Sequence, residues 1–134
     1  MSVKTTLFVE TVLDENAEAF WLEQTPKQLG SLEAAVANRR RLVALERGDW
    51  HLIGVRLAAD ITLSRPGRVD ETLMLRTPGV WDVESDSGED CFRELAEDEW
   101  TYLAEDLAEL GLQVELPEFA ELEIREASLT SRAW

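Results

Sequence analysis

The stretch WDVESDSGED, residues 81–90, carries five carboxylates in ten positions beside a single glycine. Such a loop can coordinate a hard cation, start a helix, or present negative charge to a basic partner. Asp82, Glu84 and Asp86 alternate as the first three ligands of a calcium-binding EF-hand loop do. The glycine then falls one place late, at Gly88, and the twelfth position is Arg93, which repels an ion where the loop needs a bidentate glutamate. No metal and no cofactor is therefore expected. As a helix start the stretch reads well: Ser87 can cap, Asp90 three residues on completes a capping box, and the acids sit at the positive end of the helix dipole.

Catalytic residue types are few. The one histidine, His51, opens a strand and is expected to be structural. Cys91 lies in the first turn of the helix, where the dipole favours a thiolate but the surrounding acids oppose it. Neither GxGxxG nor GxxxxGK[ST] occurs. A hydrolase built on paired carboxylates stays as a third-ranked reading, because 28 acids make coincidental pairs unavoidable.

The charge distribution is more informative. The chain has net charge −15 over 134 residues. Residues 82–123 hold 16 acids and one base, Arg93, whereas the other 92 residues hold 12 acids and 12 bases. All the excess therefore lies in one segment. Adaptation to high salt would spread acids over the whole surface. Concentrated charge of this sign repels nucleic acid and anionic membrane and attracts basic protein surfaces.

The elements that must position this charge follow from periodicity. VKTTLFVETVL (3–13) is rich in β-branched and aromatic residues and reads as a strand. A short helix is expected through NAEAFWLEQ, capped by Asp14 or Asn16 and ended at Pro26. A second runs from Ser31 to Arg47, with Gly48 as its stop; Arg39, Arg40 and Arg41 lie near its middle, on a solvated face paired with acids. Residues 51–63 form a strand in which Gly54 marks a bulge, and SRPGRVDE turns into a hairpin partner at 72–77. A long helix over about 88–110 sets Phe92, Leu95, Ala96, Trp100, Leu103, Leu107 and Leu110 on one face, opposite Asp90, Glu94, Glu97, Asp98, Glu105 and Glu109. Glu99 and Asp106 fall at the rim of the apolar arc, where pairing with Arg39–Arg41 is expected. AELEIRE (120–126) alternates as a strand. In the tail, SLTSRAW, Trp134 either docks or frays. The fold class is α+β, one domain over 1–134, with a small antiparallel sheet covered by helices. One cysteine permits no internal disulfide, no apolar run is long enough to span a bilayer, and the N-terminus lacks signal-peptide features, so a cytoplasmic protein is expected.

GDWHLIGVRLAADITL (48–63), TPGVWDVESDSGEDCFREL (77–95) and ELGL (109–112) together resemble a group of small proteins carried by phages and other mobile elements. Their shared pattern is a GDW…GVRA strand, a GLWGIESDSGEDYL motif and an acidic helix. The match covers about half the chain, and Asp82 and Cys91 stand where that pattern has glycine and tyrosine. The resemblance implies a mobile-element setting and brings no catalytic residues. The leading reading is a non-catalytic interaction protein whose Asp82, Glu84, Asp86, Glu94, Asp98, Glu105 and Glu109 bind a basic surface of a host nucleic-acid-binding protein, as inhibitors of the anti-CRISPR and DNA-mimic kind do. The alternative is an assembly or structural accessory protein with a merely solvated acidic face.

Overall fold

In the computed structural model, which describes residues 1–15 and 17–127, two long strands form the spine. β1 (Ser2–Leu13) and β2 (Leu52–Ser64) pair antiparallel over their whole length, Ser2 opposite Ser64 and Leu13 opposite Ile53. β3 (Glu71–Arg76) pairs with the far half of β2, and β4 (Val80–Glu84) with its near half. β5 (Ile124–Glu126) lies parallel to Val9–Thr11 of β1. The class is α+β, and the sheet is mixed where sequence periodicity suggested a purely antiparallel one. β5 comes back to β1 after the helices, a long connection that permits a parallel approach.

Alternation explains the two faces. Val9 of β1 and Ile53, Val55, Leu57, Ala59 and Ile61 of β2 point to the helix side and form the main core with Val83, Phe92, Ala96, Leu103, Leu107 and Phe119. On the opposite face Glu10, only 7 % exposed, joins Arg56 at 2.5 Å and Arg76 at 3.1 Å. Arg76 also reaches Asp60 at 3.1 Å. The guanidinium groups of Arg76 and Arg125 lie over the Phe8 ring at 5.1 and 4.2 Å. This charged lattice covers an otherwise apolar sheet face.

The helices depart from the sequence reading in three ways. Among the described residues 17–24 only a four-residue 3-10 turn, Phe20–Glu23, forms; the cap at Asn16 lies outside the described residues. Pro26 starts α1 (Pro26–Leu29) instead of ending a helix, because its fixed φ suits the first turn and Thr25 and Gln28 make a reciprocal capping box around it. α2 (Leu32–Glu46) is capped by Ser31, whose Oγ accepts from Ala34 N at 3.2 Å, as expected. The single helix over 88–110 is two: α3 (Glu89–Glu97) and α4 (Trp100–Glu109). At the joint the Glu99 amide donates to Ala96 O at 3.0 Å, a 3-10 step, and the Glu99 carboxylate turns inward. Its Oε1 accepts from Gly79 N at 2.5 Å.

Helix ends explain the remaining differences. Gly88, with φ 97°, occupies the N-cap position of α3, and the Ser87 hydroxyl instead donates to Glu84 O at 2.7 Å. Leu110 is 49 % exposed, not buried. Gly111 reverses the chain there, so that Leu112, not Leu110, packs on the core. Leu95 is half-buried against that core. The strand expected over 120–126 is a 3-10 turn at Phe119–Glu121 followed by β5. Trp134 and the rest of the tail lie outside the described residues.

Candidate partner-binding surface

The residues of the acid-rich loop are spent largely on the fold. Trp81 lies across β2 at Gly54, where any Cβ would come within 2.4 Å of the indole; the β2–β4 register shifts there, between Ile53 and Val55. Ser85 and His51 hold each other through two bonds, His51 N to Ser85 Oγ and Ser85 N to His51 O, both 2.8 Å. Glu84 and Asp86 converge on Arg41. Its Nε donates to Glu84 at 3.1 Å, and its two terminal nitrogens donate to Asp86 at 2.7 and 2.5 Å. The same guanidinium stacks 3.8 Å over the Trp50 ring, whose Nε1 donates to Arg41 O at 3.0 Å. A guanidinium thus takes the place a calcium ion would need. The contact holds the Asp86 carboxyl below its ordinary range, chiefly by its hydrogen bond to Arg41, and raises the Arg41 pKa correspondingly.

This clasp joins α2 to the β4–α3 loop and corrects the expected pairing of Glu99 and Asp106 with Arg39–Arg41. Glu99 is buried against Gly79, Asp106 is exposed, and among the described residues Arg41 alone of the three arginines finds acids, in the loop. Arg39 and Arg40 are exposed. The clue in the sequence was a base cluster facing an acid cluster 43 to 45 positions away, which spacing alone cannot connect.

Of the seven residues read as partner-binding, Asp82 stands exposed on β4, and Glu84 and Asp86 share the single positive charge of Arg41. Glu94, Asp98, Glu105 and Glu109 are all exposed on the α3–α4 layer, as expected. Their environment is unlike that of the loop. Glu94, Glu97, Asp98, Glu105, Asp106 and Glu109 have no ion-pair partner among the described residues. The base of this segment, Arg93, is occupied by Glu89 at 3.3 Å, Asp90 at 3.8 Å and Leu122 O at 3.1 Å. At 100° per residue Tyr102, Glu105 and Glu109 of α4 fall within about 60° of one another, opposite the buried Leu103 and Leu107, and exposed Asp98 precedes them at the C-terminal end of α3. They form one outward ridge with Tyr102, 52 % exposed, between the acids. A groove of about 440 Å³ runs between α3 and the 116–120 segment, lined by Asp90, Glu94, Glu97 and Glu118 together with Arg93 and by the apolar Leu116 and Phe119.

A second cleft, of about 630 Å³, opens where the helix layer ends, lined among others by Thr11, His51, Ile53, Ser85, Glu89 and Phe92. Among the described residues no hydrogen bond joins the His51 ring to Ser85, and no three His, Cys, Asp or Glu side chains are grouped to hold a metal. Cys91 is half-buried. Among the described residues no helix is long and apolar enough to cross a membrane. No family model matches this sequence, and no curated protein or solved structure matches it either.

Proposed function

We propose that the chain is a non-catalytic interaction protein, and that the exposed ridge Asp98–Tyr102–Glu105–Glu109, with Glu94 and the adjoining groove, binds a basic protein surface. The observation that carries this reading is the absence of ion-pair partners for these acids among the described residues, while in the 82–90 loop Glu84 and Asp86 are held by Arg41 and Glu89 and Asp90 by Arg93. An uncompensated stripe of one sign steers oppositely charged partners. Helical carboxylates three or four residues apart stand about 5–6 Å from each other, close to the spacing of successive phosphates. In the mobile-element setting implied by the sequence resemblance, the partner is a host nucleic-acid-binding protein or complex, and the protein inhibits it by occupying its phosphate-binding surface. Direct binding of nucleic acid or membrane forms no part of the reading.

The test is affinity capture from a host lysate with the wild type and with the triple variant Asp98→Lys, Glu105→Lys, Glu109→Lys. Those side chains are exposed, so the variant is expected to fold and to lose the captured protein. Duplex DNA is expected to compete for that protein. Undiminished capture by the folded variant would remove the ridge as the interface; capture that DNA leaves unchanged would remove the phosphate-mimic version alone. An assembly role with a merely solvated face predicts tolerance of the reversal.

A further inference from the structure

α2 is a 15-residue helix without one fully buried residue. Its inner side is held by Arg41 over Trp50 and by Leu42 and Leu45 packed against the Trp50–Leu52 cluster. On the other side, stepping 100° per residue, Leu32, Val36, Arg39, Arg40, Val43 and Arg47 fall within about 100° of one another. Leu32 is 69 % and Val36 43 % exposed. Glu33 and Glu46 flank this stripe and Arg47 pairs with Asp49 at 3.8 Å, so the basic charge it presents is that of Arg39 and Arg40, which have no ion-pair partner among the described residues. Exposed Leu32 and Val36 and half-buried Val43, with arginines between them, have the spacing of a helix–helix contact, and Leu32 and Val36 stay largely open in the described chain.

The matching surface is on the same molecule. The ridge at 98, 102, 105 and 109 has the same three- and four-residue spacing and the opposite charge. An antiparallel pairing of the two helices sets Asp98 opposite Arg47, Tyr102 opposite Val43, and Glu105 opposite Arg39 and Arg40. In the same register Glu109 falls opposite Val36. We propose that α2 of one copy docks on α4 of a second copy of this chain, in a head-to-tail association. Such a contact is heterologous: each pair keeps one free α2 face, on one copy, and one free acidic ridge, on the other, so the arrangement grows into a ring or an open chain. It shares the acidic ridge with the proposed partner site but needs no other protein, so the two can fail separately. A basic partner on the ridge would compete with the second copy.

Sedimentation velocity of the purified protein over a concentration series tests this. Salt is a poor probe, because it screens the attraction at the contact and also the repulsion between two chains of charge −15. Charge exchange is unambiguous. The wild type is expected to show concentration-dependent larger species. Arg39→Glu/Arg40→Glu and Glu105→Lys/Glu109→Lys are each expected to sediment as monomers, and their equimolar mixture to associate again, since every contact in the mixture pairs opposite signs. Leu32→Ser/Val36→Ser, which leaves the charges alone, is expected to lose association as well. All these positions are at the surface, and an unchanged melting midpoint verifies the fold of each variant. A wild type that stays monomeric, association that persists in Arg39→Glu/Arg40→Glu, or a mixture that remains monomeric overturns the proposal.

Discussion

At the scale of single residues, Asp82 adopts φ 61°, a left-handed conformation in which a Cβ costs about 1–2 kcal/mol. The sequence pattern that this stretch resembles has glycine there, and the backbone explains why. Asp82→Gly is expected to be more stable than Asp82→Ala by about 1–2 kcal/mol in chemical denaturation. Both changes remove the carboxylate, so their difference isolates the backbone. Asp86 supplies a second test. Its folded pKa lies below the ordinary 3.8, so its pairing with Arg41 stabilises the fold fully above that ordinary value, and the contribution fades as pH falls through the depressed one. The stability gap between wild type and Asp86→Asn is expected to be constant near neutral pH and to close in acid. With Asp86 half-exposed the gap is small; a gap that widens on acidification would contradict the assigned pairing.

At the scale of elements, α3 and α4 seal the sheet through Phe92, Ala96, Leu103 and Leu107. Leu103 is fully buried, and Leu103→Ala is expected to cost about 2–5 kcal/mol in unfolding free energy. Leu110→Ala, at the exposed helix end, is expected to stay within about 0.5 kcal/mol. On the other sheet face Glu10 joins Arg56 of β2 and Arg76 of β3 to β1. Its removal takes a carboxylate from the nearly buried Arg56 while Arg76 keeps Asp60, and Glu10→Ala is expected to cost about 3 kcal/mol by the same measurement, the lower end for a broken buried pair. Asp60, half-buried between Arg76 and Arg125, belongs to this lattice and not to the solvated surface.

At the scale of the whole molecule, charge is divided between the layers. The helix layer carries uncompensated carboxylates, the arginine–carboxylate lattice covers the far sheet face, and α2 projects a basic, partly apolar stripe. For a basic partner, stopped-flow association is expected to slow steeply with added salt for the wild type and to become nearly salt-independent for the ridge reversal. Reversing Glu18, Asp70 and Glu71, exposed acids outside residues 82–123, is expected to change that rate much less. Equal effects of the two reversals would show that net charge, not the ridge, governs encounter.

Local pattern determined β1, β2, β3 and α2, because alternation, capping residues and glycine stops act within a few positions. It also determined which side of α3–α4 is acidic, since helical period sorts residues without reference to any neighbour. Only the tertiary structure decided the rest. β4 was read as loop because Asp82 and Glu84 look soluble, and their strand exists through pairing with β2. The break at 98–99 accompanies a contact between Glu99 and Gly79, and β5 runs parallel through partners more than a hundred residues away in sequence. Arg41's choice of Glu84 and Asp86 separates spent acids from free ones. Composition counts charges; only folding brings a guanidinium within 3 Å of one carboxylate and leaves the next facing water.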